Sequence, residues 1–162
     1  MKYIYIIIFA ILIGCADTNQ SILKTDDELS SNIKMLAEKY ENNDFEVSQY
    51  YADDVITRIN NTELTGFENL TAGFKAHHDM LYDNIKIKDF YVHTNYFANG
   101  EIWSNVWSTW TGTGKTTGKE YSLPIHFDYK WENGKIVVVQ GYLDESIEKM
   151  EIAAYTEAQN QN

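Results

Sequence analysis

The chain has 162 residues, of which 14% are aromatic and one is proline, and its formal net charge is −11. A chain of this length forms about one domain, and this composition is that of a packed domain and not of a disordered tail. The excess of acidic side chains repels phosphate backbones, so we expect no nucleic-acid partner.

The first residues are typical of a bacterial lipoprotein signal peptide. Lys2 precedes an almost unbroken apolar run over 4–13, which is shorter than the about 20 residues that cross a bilayer but fits the apolar part of a signal sequence. The run ends at Gly14-Cys15 in a segment that resembles the lipobox, where the cysteine thiolate takes a diacylglyceryl group. We therefore predict that residues 1–14 are removed and that Cys15 carries a lipid anchor in the bacterial cell envelope, facing the periplasm or the cell surface. The alternative is an ordinary secretory peptide with an incidental cysteine.

The rest of the chain is predicted to form a single domain between two polar segments. Residues 15–24 are the lipidated cysteine and a polar tether, residues 25–155 the domain, and residues 156–162 a polar tail. A capping-box pattern that starts at Thr25, followed by apolar residues at helical spacing, predicts a helix over 26–42. The segments that follow are a short helix over 45–51, a strand over 55–59, a turn-rich stretch over 60–66 and a helix over 67–81.

Strands dominate the second half of the domain. We predict strands over 85–97, 101–111, 121–131 and 135–143, a Gly/Thr/Lys loop over 112–119, and a helix over 144–155. Asn99-Gly100 and Asn133-Gly134 are strong hairpin signals, and Gly141 indicates a bend or bulge in the last strand. Helices followed by an antiparallel meander predict an α+β fold with helices on one face of a curved sheet.

Several short motifs resemble the SnoaL-like family of the nuclear transport factor 2-like superfamily. They are Trp110-Thr111-Gly112-Thr113, Gly118-Lys119, His126-Phe127, Asn133-Gly134-Lys135-Ile136, Tyr142-Leu143-Asp144, Tyr51-Ala52-Asp53-Asp54-Val55 and Gly66-Phe67-Glu68. The resemblance covers about residues 30–150 and implies a cone-shaped, curved antiparallel sheet with helices packed on its concave face. It also implies a pocket between sheet and helices, and often a dimer through the outer sheet face. Polyketide cyclases belong to this family and ketosteroid isomerases to the superfamily, but a fold alone does not settle function.

Asp144 and His126 are the polar residues that the resemblance places best for catalysis. A buried carboxylate with a raised pKa could move a proton beside a carbonyl, as cyclisation or isomerisation requires. Alternatively, Asp144 only caps the helix that follows it. His126 lies on the strand face opposite the apolar one, which directs it toward solvent or a dimer partner. Relatives often carry a polar or acidic residue inside the last strand, where this chain has Gly141 or Tyr142.

Four aromatic side chains are candidates for lining an apolar pocket, namely Tyr50, Trp103, Trp107 and Tyr142. Plain core or dimer packing is the alternative for each of them. The segment His77-His78-Asp79 lacks a further ligand three or four positions away, so we predict no metal site. No cofactor is expected either.

Two functions remain open at this point. The first is a membrane-anchored extracytoplasmic protein whose pocket captures a small apolar or aromatic molecule. The second is a cofactor-free acid–base enzyme of the cyclase or isomerase type, acting on a carbonyl compound. An ionisable residue inside the cavity distinguishes them. Because the sequence offers no convincing pair of such residues, the binding protein is preferred, and a homodimer is expected only from the resemblance.

Overall fold

Three helices and a seven-stranded sheet make up residues 20–161, the part of the chain that the computed structural model describes. The strands are β1 (Ile22–Lys24), β2 (Tyr51–Ile59), β3 (Thr62–Thr65), β4 (Tyr82–Tyr96), β5 (Ile102–Gly114), β6 (Glu120–Glu132) and β7 (Lys135–Tyr142). The helices are α1 (Glu28–Glu41), α2 (Phe67–Ala76) and α3 (Ser146–Asn160). The predicted signal peptide and Cys15 lie outside the described residues. Within 20–161, none of the helices is both long and apolar enough to cross a membrane.

The strands form one curved sheet in the order β1-β4-β5-β6-β7-β2-β3. Strands β4 to β7 are an antiparallel meander, as the sequence predicts. Strand β2 pairs with β7 in parallel, the one pairing here that departs from the antiparallel expectation. The sheet stays open instead of closing into a barrel, and the helices lie on its concave side. This arrangement confirms the predicted α+β cone.

Local interactions fix where the first two helices begin. Asp27 caps α1 by accepting a hydrogen bond from the backbone N–H of Ser30 at 2.9 Å, so the expected capping box at Thr25 is wrong by two residues. Helix α2 starts after Gly66, whose φ of +100° favours glycine. The predicted helix over 67–81 is a regular helix as far as Ala76 and then widens into a π-helical turn, His77–Leu81.

Three short segments differ from the expectations. The predicted helix over 45–51 is only a 3-10 turn, Ser48–Tyr50, because β2 already starts at Tyr51. The turn-rich stretch over 60–66 contains β3, which pairs with β2 across a tight turn at Asn60, where φ is +49°. The polar tether contains β1, whose three residues pair with β4 and form one edge of the sheet. A three-residue strand is too short to show a periodicity of its own.

Gly141 is required by close packing and not by a bend in its strand. A Cβ atom at this position would lie 2.5 Å from Phe127 Cε1 and 2.6 Å from Ile59 Cδ1. The irregularity between β6 and β7 falls instead between Lys130 and Trp131. The missing side chain at Gly141 therefore lets the ring of Phe127 approach the backbone of the last strand closely.

Candidate functional site

An apolar cavity of about 140 Å³ lies between the concave sheet face and the helices. Because side chains alternate along a strand, every second residue of β5 and β6 faces it. These are Val106, Ser108 and Trp110 from β5, and Leu123, Ile125, Phe127 and Tyr129 from β6. An engineered apolar cavity of about 150 Å³ binds benzene, so a cavity of this volume holds about one ring.

One wall of the cavity is polar and is built by three separate helical segments. Tyr40 comes from the end of α1, His77 from the start of the π-helical turn, and Glu148 from the first turn of α3. The Tyr40 hydroxyl oxygen lies 2.9 Å from His77 Nδ1, and His77 Nε2 lies 3.7 Å from Glu148 Oε1. The cavity therefore contains an ionisable pair.

The hydrogen bonds indicate which atoms of this polar wall carry hydrogens. Trp110 Nε1 can only donate, and it donates to the Tyr40 hydroxyl oxygen at 3.1 Å. When the Tyr40 hydroxyl donates its own hydrogen to Nδ1 of His77, Nε2 is the ring nitrogen that carries a hydrogen. Nε2 is also the ring nitrogen that lies near the Glu148 carboxylate.

The charges follow from the surroundings of each group. Burial raises the pKa of the Tyr40 hydroxyl far above its ordinary value, so Tyr40 stays a neutral donor. The ring of His77 beside its carboxyl lowers the pKa of Glu148, against the opposing effect of partial burial. Near neutral pH the wall therefore presents an N–H donor and an ionised carboxylate side by side.

A second carboxylate, Glu151, holds α3 against the sheet. Its side chain is fully buried, and Oε1 accepts hydrogen bonds from the hydroxyls of Thr117 and, at 2.8 Å, of Tyr121. Its Oε2 has no hydrogen-bond partner among residues 20–161. Glu148 lies three positions earlier on the same helix, so this anchor also positions the carboxylate of the cavity wall.

Asp144 is the predicted catalytic residue that lies at the cavity. Its Oδ1 accepts a hydrogen bond from the backbone N–H of Ser146 at 2.9 Å, and this bond lowers the pKa of the Asp144 carboxyl. This bond closes a turn just before α3, whose N-cap is Glu145 without a side-chain cap hydrogen bond, so Asp144 is not the N-cap that the alternative interpretation expected. A catalytic role for Asp144 stays a prediction.

The structure places His126, Trp107 and Tyr142 on the convex face of the sheet and not at the cavity. Their rings form a row with His93, with centroid separations of 5.3 Å (His93 to Trp107), 4.6 Å (Trp107 to His126) and 5.9 Å (His126 to Tyr142). His126 Nε2 also lies 3.0 Å from Asp128 Oδ1. The structure thus corrects the pocket assignment of Trp107 and Tyr142. The cavity takes the even-numbered residues of β5, and Tyr142 pairs with His126 on the opposite face of the sheet.

The other two predicted lining residues are also placed elsewhere. Trp103 is an odd-numbered residue of β5, so it shares the convex face with Trp107. Tyr50 packs beside the main core, while its neighbour Tyr51 lines the cavity. Trp110, Phe127 and Tyr129 lie on predicted strands and line the cavity, although the sequence does not assign them to it.

The sequence does not assign Tyr40, His77 or Glu148 to the cavity, and His77 enters the sequence analysis only as a rejected metal ligand. They are far apart in the chain, and only the docking of three helical segments brings them together. One signal was available in α3, because Glu148 and Glu151 fall on the helical face that also carries the apolar Ile147. Among the described residues no group of three or more His, Cys, Asp or Glu side chains could hold a metal ion.

The open cone and its internal cavity define a class of α+β proteins, the nuclear transport factor 2-like fold. No protein-family model matches the chain, and no curated protein matches it by sequence. Solved structures do match the fold. One from Xanthomonas campestris pv. campestris, provisionally assigned as a polyketide cyclase, is 17% identical over 77% of this chain and 95% of its own, with a TM-score of 0.61.

Two further structures have the same fold. A SnoaL-like protein from Mesorhizobium loti, provisionally assigned as a polyketide cyclase, is 20% identical over 72% of this chain and 99% of its own, with a TM-score of 0.51. A protein of ketosteroid isomerase-like fold from Catenulispora acidiphila, solved in complex with trimethylamine, is 16% identical over 68% of this chain and 82% of its own, with a TM-score of 0.52. Likeness at this identity establishes the fold alone, so function has to be argued from the site.

Proposed function

We propose that this protein is a lipid-anchored, extracytoplasmic protein that binds a small, mainly apolar molecule in its cavity. The observation that carries the proposal is the apolar cavity of about 140 Å³ with a polar wall on one side. Such a cavity orients a ligand through a few polar groups and gains affinity from the apolar area it removes from water. The trimethylamine complex of one structural neighbour supports small-ligand binding in this fold.

Methyl NMR with toluene as the probe tests this proposal. We expect saturable shifts of the cavity methyl groups of Val106, Leu123 and Ile125, and none at the exposed Ile22 and Ile152. Shifts that do not saturate, or that appear equally on the surface, would contradict it.

A filled-cavity variant provides the matched control. Ala37 lines the cavity on α1, so Ala37→Leu should weaken toluene binding by occupying the space. Ala72 is exposed on α2, so Ala72→Leu makes the same chemical change outside the cavity and should leave binding unchanged. Equal affinity in both variants would place the probe elsewhere.

The His77–Glu148 pair favours a second candidate function, a cofactor-free acid–base enzyme that acts on a carbonyl compound. The Glu148 carboxylate would take a proton from the carbon beside the carbonyl, and the C–H electron pair would form the new C=C bond. The carbonyl oxygen would receive the negative charge while accepting a hydrogen bond from His77 Nε2. The neighbours provisionally assigned as cyclases support this candidate, although they share only the fold.

Hydrogen–deuterium exchange of cyclohexanone in D₂O tests the enzyme candidate. We expect the protein to accelerate exchange at the carbons beside the carbonyl, and Glu148→Gln to lower that rate by roughly 10²-fold or more. Glu157→Gln, an exposed change on the same helix, is the control. Exchange at the rate of buffer alone would leave the binding protein as the function.

A further inference from the structure

The gap between His77 and Glu148 is the feature that points to the ligand's chemistry. The 3.7 Å between Nε2 and Oε1 exceeds the about 2.7–3.2 Å of an N–H···O hydrogen bond. One oxygen atom placed about 2.8 Å from each of the two atoms would bridge them, because twice that distance is larger than the gap. A third atom can therefore form hydrogen bonds to both side chains at once.

His77 and Glu148, on the two sides of the gap, require opposite hydrogen-bonding roles from an atom placed between them. The Tyr40 hydroxyl lies 2.9 Å from Nδ1 of His77, and with this hydroxyl as the donor Nε2 carries a hydrogen and donates, whereas the ionised Glu148 is an acceptor only. A bridging atom must accept on one side and donate on the other. A hydroxyl does both, whereas a carbonyl or ether oxygen can only accept and a carboxylate would repel Glu148.

We propose that the ligand of this cavity is a hydroxyl compound on a body of about one ring, of the phenol or enol class, whose O–H bridges His77 and Glu148. This inference rests on the proposed binding function and deepens it. The apolar cavity takes the ring. The donor on His77 and the acceptor on Glu148 select the hydroxyl, and the Trp110–Tyr40 hydrogen bond holds the donor in place.

The test compares four ligands of one ring each: phenol, anisole, toluene and benzoate, titrated by methyl NMR. A hydrogen bond to a charged group predicts that phenol binds roughly tenfold more tightly than anisole or toluene. Benzoate should bind most weakly. Equal affinities for phenol and anisole would overturn the inference while toluene binding leaves the proposed function in place. Failure of all four ligands to bind would reject the proposed function itself.

Two variants test whether the polar wall of the cavity causes the preference for phenol. Glu148→Gln should remove most of the preference for phenol over anisole and keep toluene binding, and Glu157→Gln should change neither. Tyr40→Phe should change the ¹⁵N chemical shifts of the His77 ring, which report its tautomer, a readout that a purely structural loss would not move. A phenol preference that survives Glu148→Gln would overturn the inference. If Glu148→Gln does not bind toluene, the phenol-to-anisole ratio of the unaltered protein decides.

Discussion

The carboxylate of Glu151 lies directly against the backbone of Gly114, where a Cβ atom would overlap it. This contact joins the middle of α3 to the end of β5, and the missing side chain of Gly114 leaves the space that the carboxylate occupies. Gly114 has no need of a left-handed backbone, so its role is to leave space. The pair is thus a size constraint between helix and sheet.

Gly114→Ala should therefore destabilise the protein by about 1–3 kcal/mol, the usual range for forcing extra atoms into a packed interior. Gly73→Ala is the matched control. Nothing lies within 4 Å of a Cβ at Gly73, which is inside α2, so alanine should stabilise by roughly 0.5–1 kcal/mol. Urea unfolding of both variants measures the difference. Equal stability of the two would show that α3 can move away at no cost.

The pKa of Glu148 should depend on His77. The ring beside it lowers this pKa below the ordinary value of 4.5, so His77→Phe should raise the pKa of Glu148 to that value or above it. His93→Phe, on the convex face, should have no effect. Carbon-13 NMR of the carboxyl measures each pKa. An unchanged value in His77→Phe would mean that the two groups do not interact.

The same shift makes stability depend on pH. Because the pKa of Glu148 is lower in the folded than in the unfolded protein, ionised Glu148 stabilises the fold above the unfolded pKa of about 4.3. That contribution is lost as the pH falls through the folded pKa. The free energy of unfolding of the unaltered protein relative to Glu148→Gln should therefore decrease on acidification. A difference that is constant with pH would contradict the assignment.

Asp144 should titrate below the ordinary Asp pKa of about 3.9, since its carboxylate accepts the backbone hydrogen bond of Ser146. An NMR titration of its carboxyl measures this. Asp144→Asn keeps an oxygen in the same place and should preserve toluene binding. A pKa well above 3.9 would restore Asp144 as a candidate for proton transfer.

The lipid anchor on Cys15 is tested by cell fractionation. We expect Cys15→Ser to leave the precursor uncleaved or to release the protein from the membrane fraction, because the thiolate is the group that is lipidated. Ser21→Ala, a change of similar size near the start of the domain, should remain membrane-bound. A Cys15→Ser protein that matures and stays in the membrane would disprove the anchor.

The homodimer expected from the resemblance is proposed to pair the convex sheet faces. Tyr91, Trp107 and Tyr142 are 68%, 47% and 52% exposed on this face, which is unusual for adjacent large aromatic side chains. Trp107→Glu should give a monomer in sedimentation experiments and leave toluene binding intact. Leu64→Glu, at an exposed position of β3 on the edge of the sheet, should not alter the oligomeric state. An unaltered protein that sediments as a monomer would rule the dimer out.

Much of the fold could be predicted from the chain because local patterns carry it. The alternation over 121–131 and the Asn133-Gly134 turn, both of whose residues have positive φ, give β6, β7 and their hairpin. Strand β1 and the parallel pairing of β2 with β7 depend on distant partners, so no local sequence pattern predicts them. The residues of the candidate site were harder to predict than the fold. The strand phase that directs Trp110 inward and Trp107 outward is set by which sheet face the helices cover.

The sheet and the helices contribute different kinds of groups to the cavity. The sheet contributes its shape and its uncharged rings, while the three ionisable or proton-holding groups of the polar wall, Tyr40, His77 and Glu148, all come from helical segments. Substitutions at a few helical positions could therefore change what the cavity recognises without disturbing the pairing of any strand. One architecture can in this way serve many unrelated ligands, with the sheet as the constant part and the helices as the variable one.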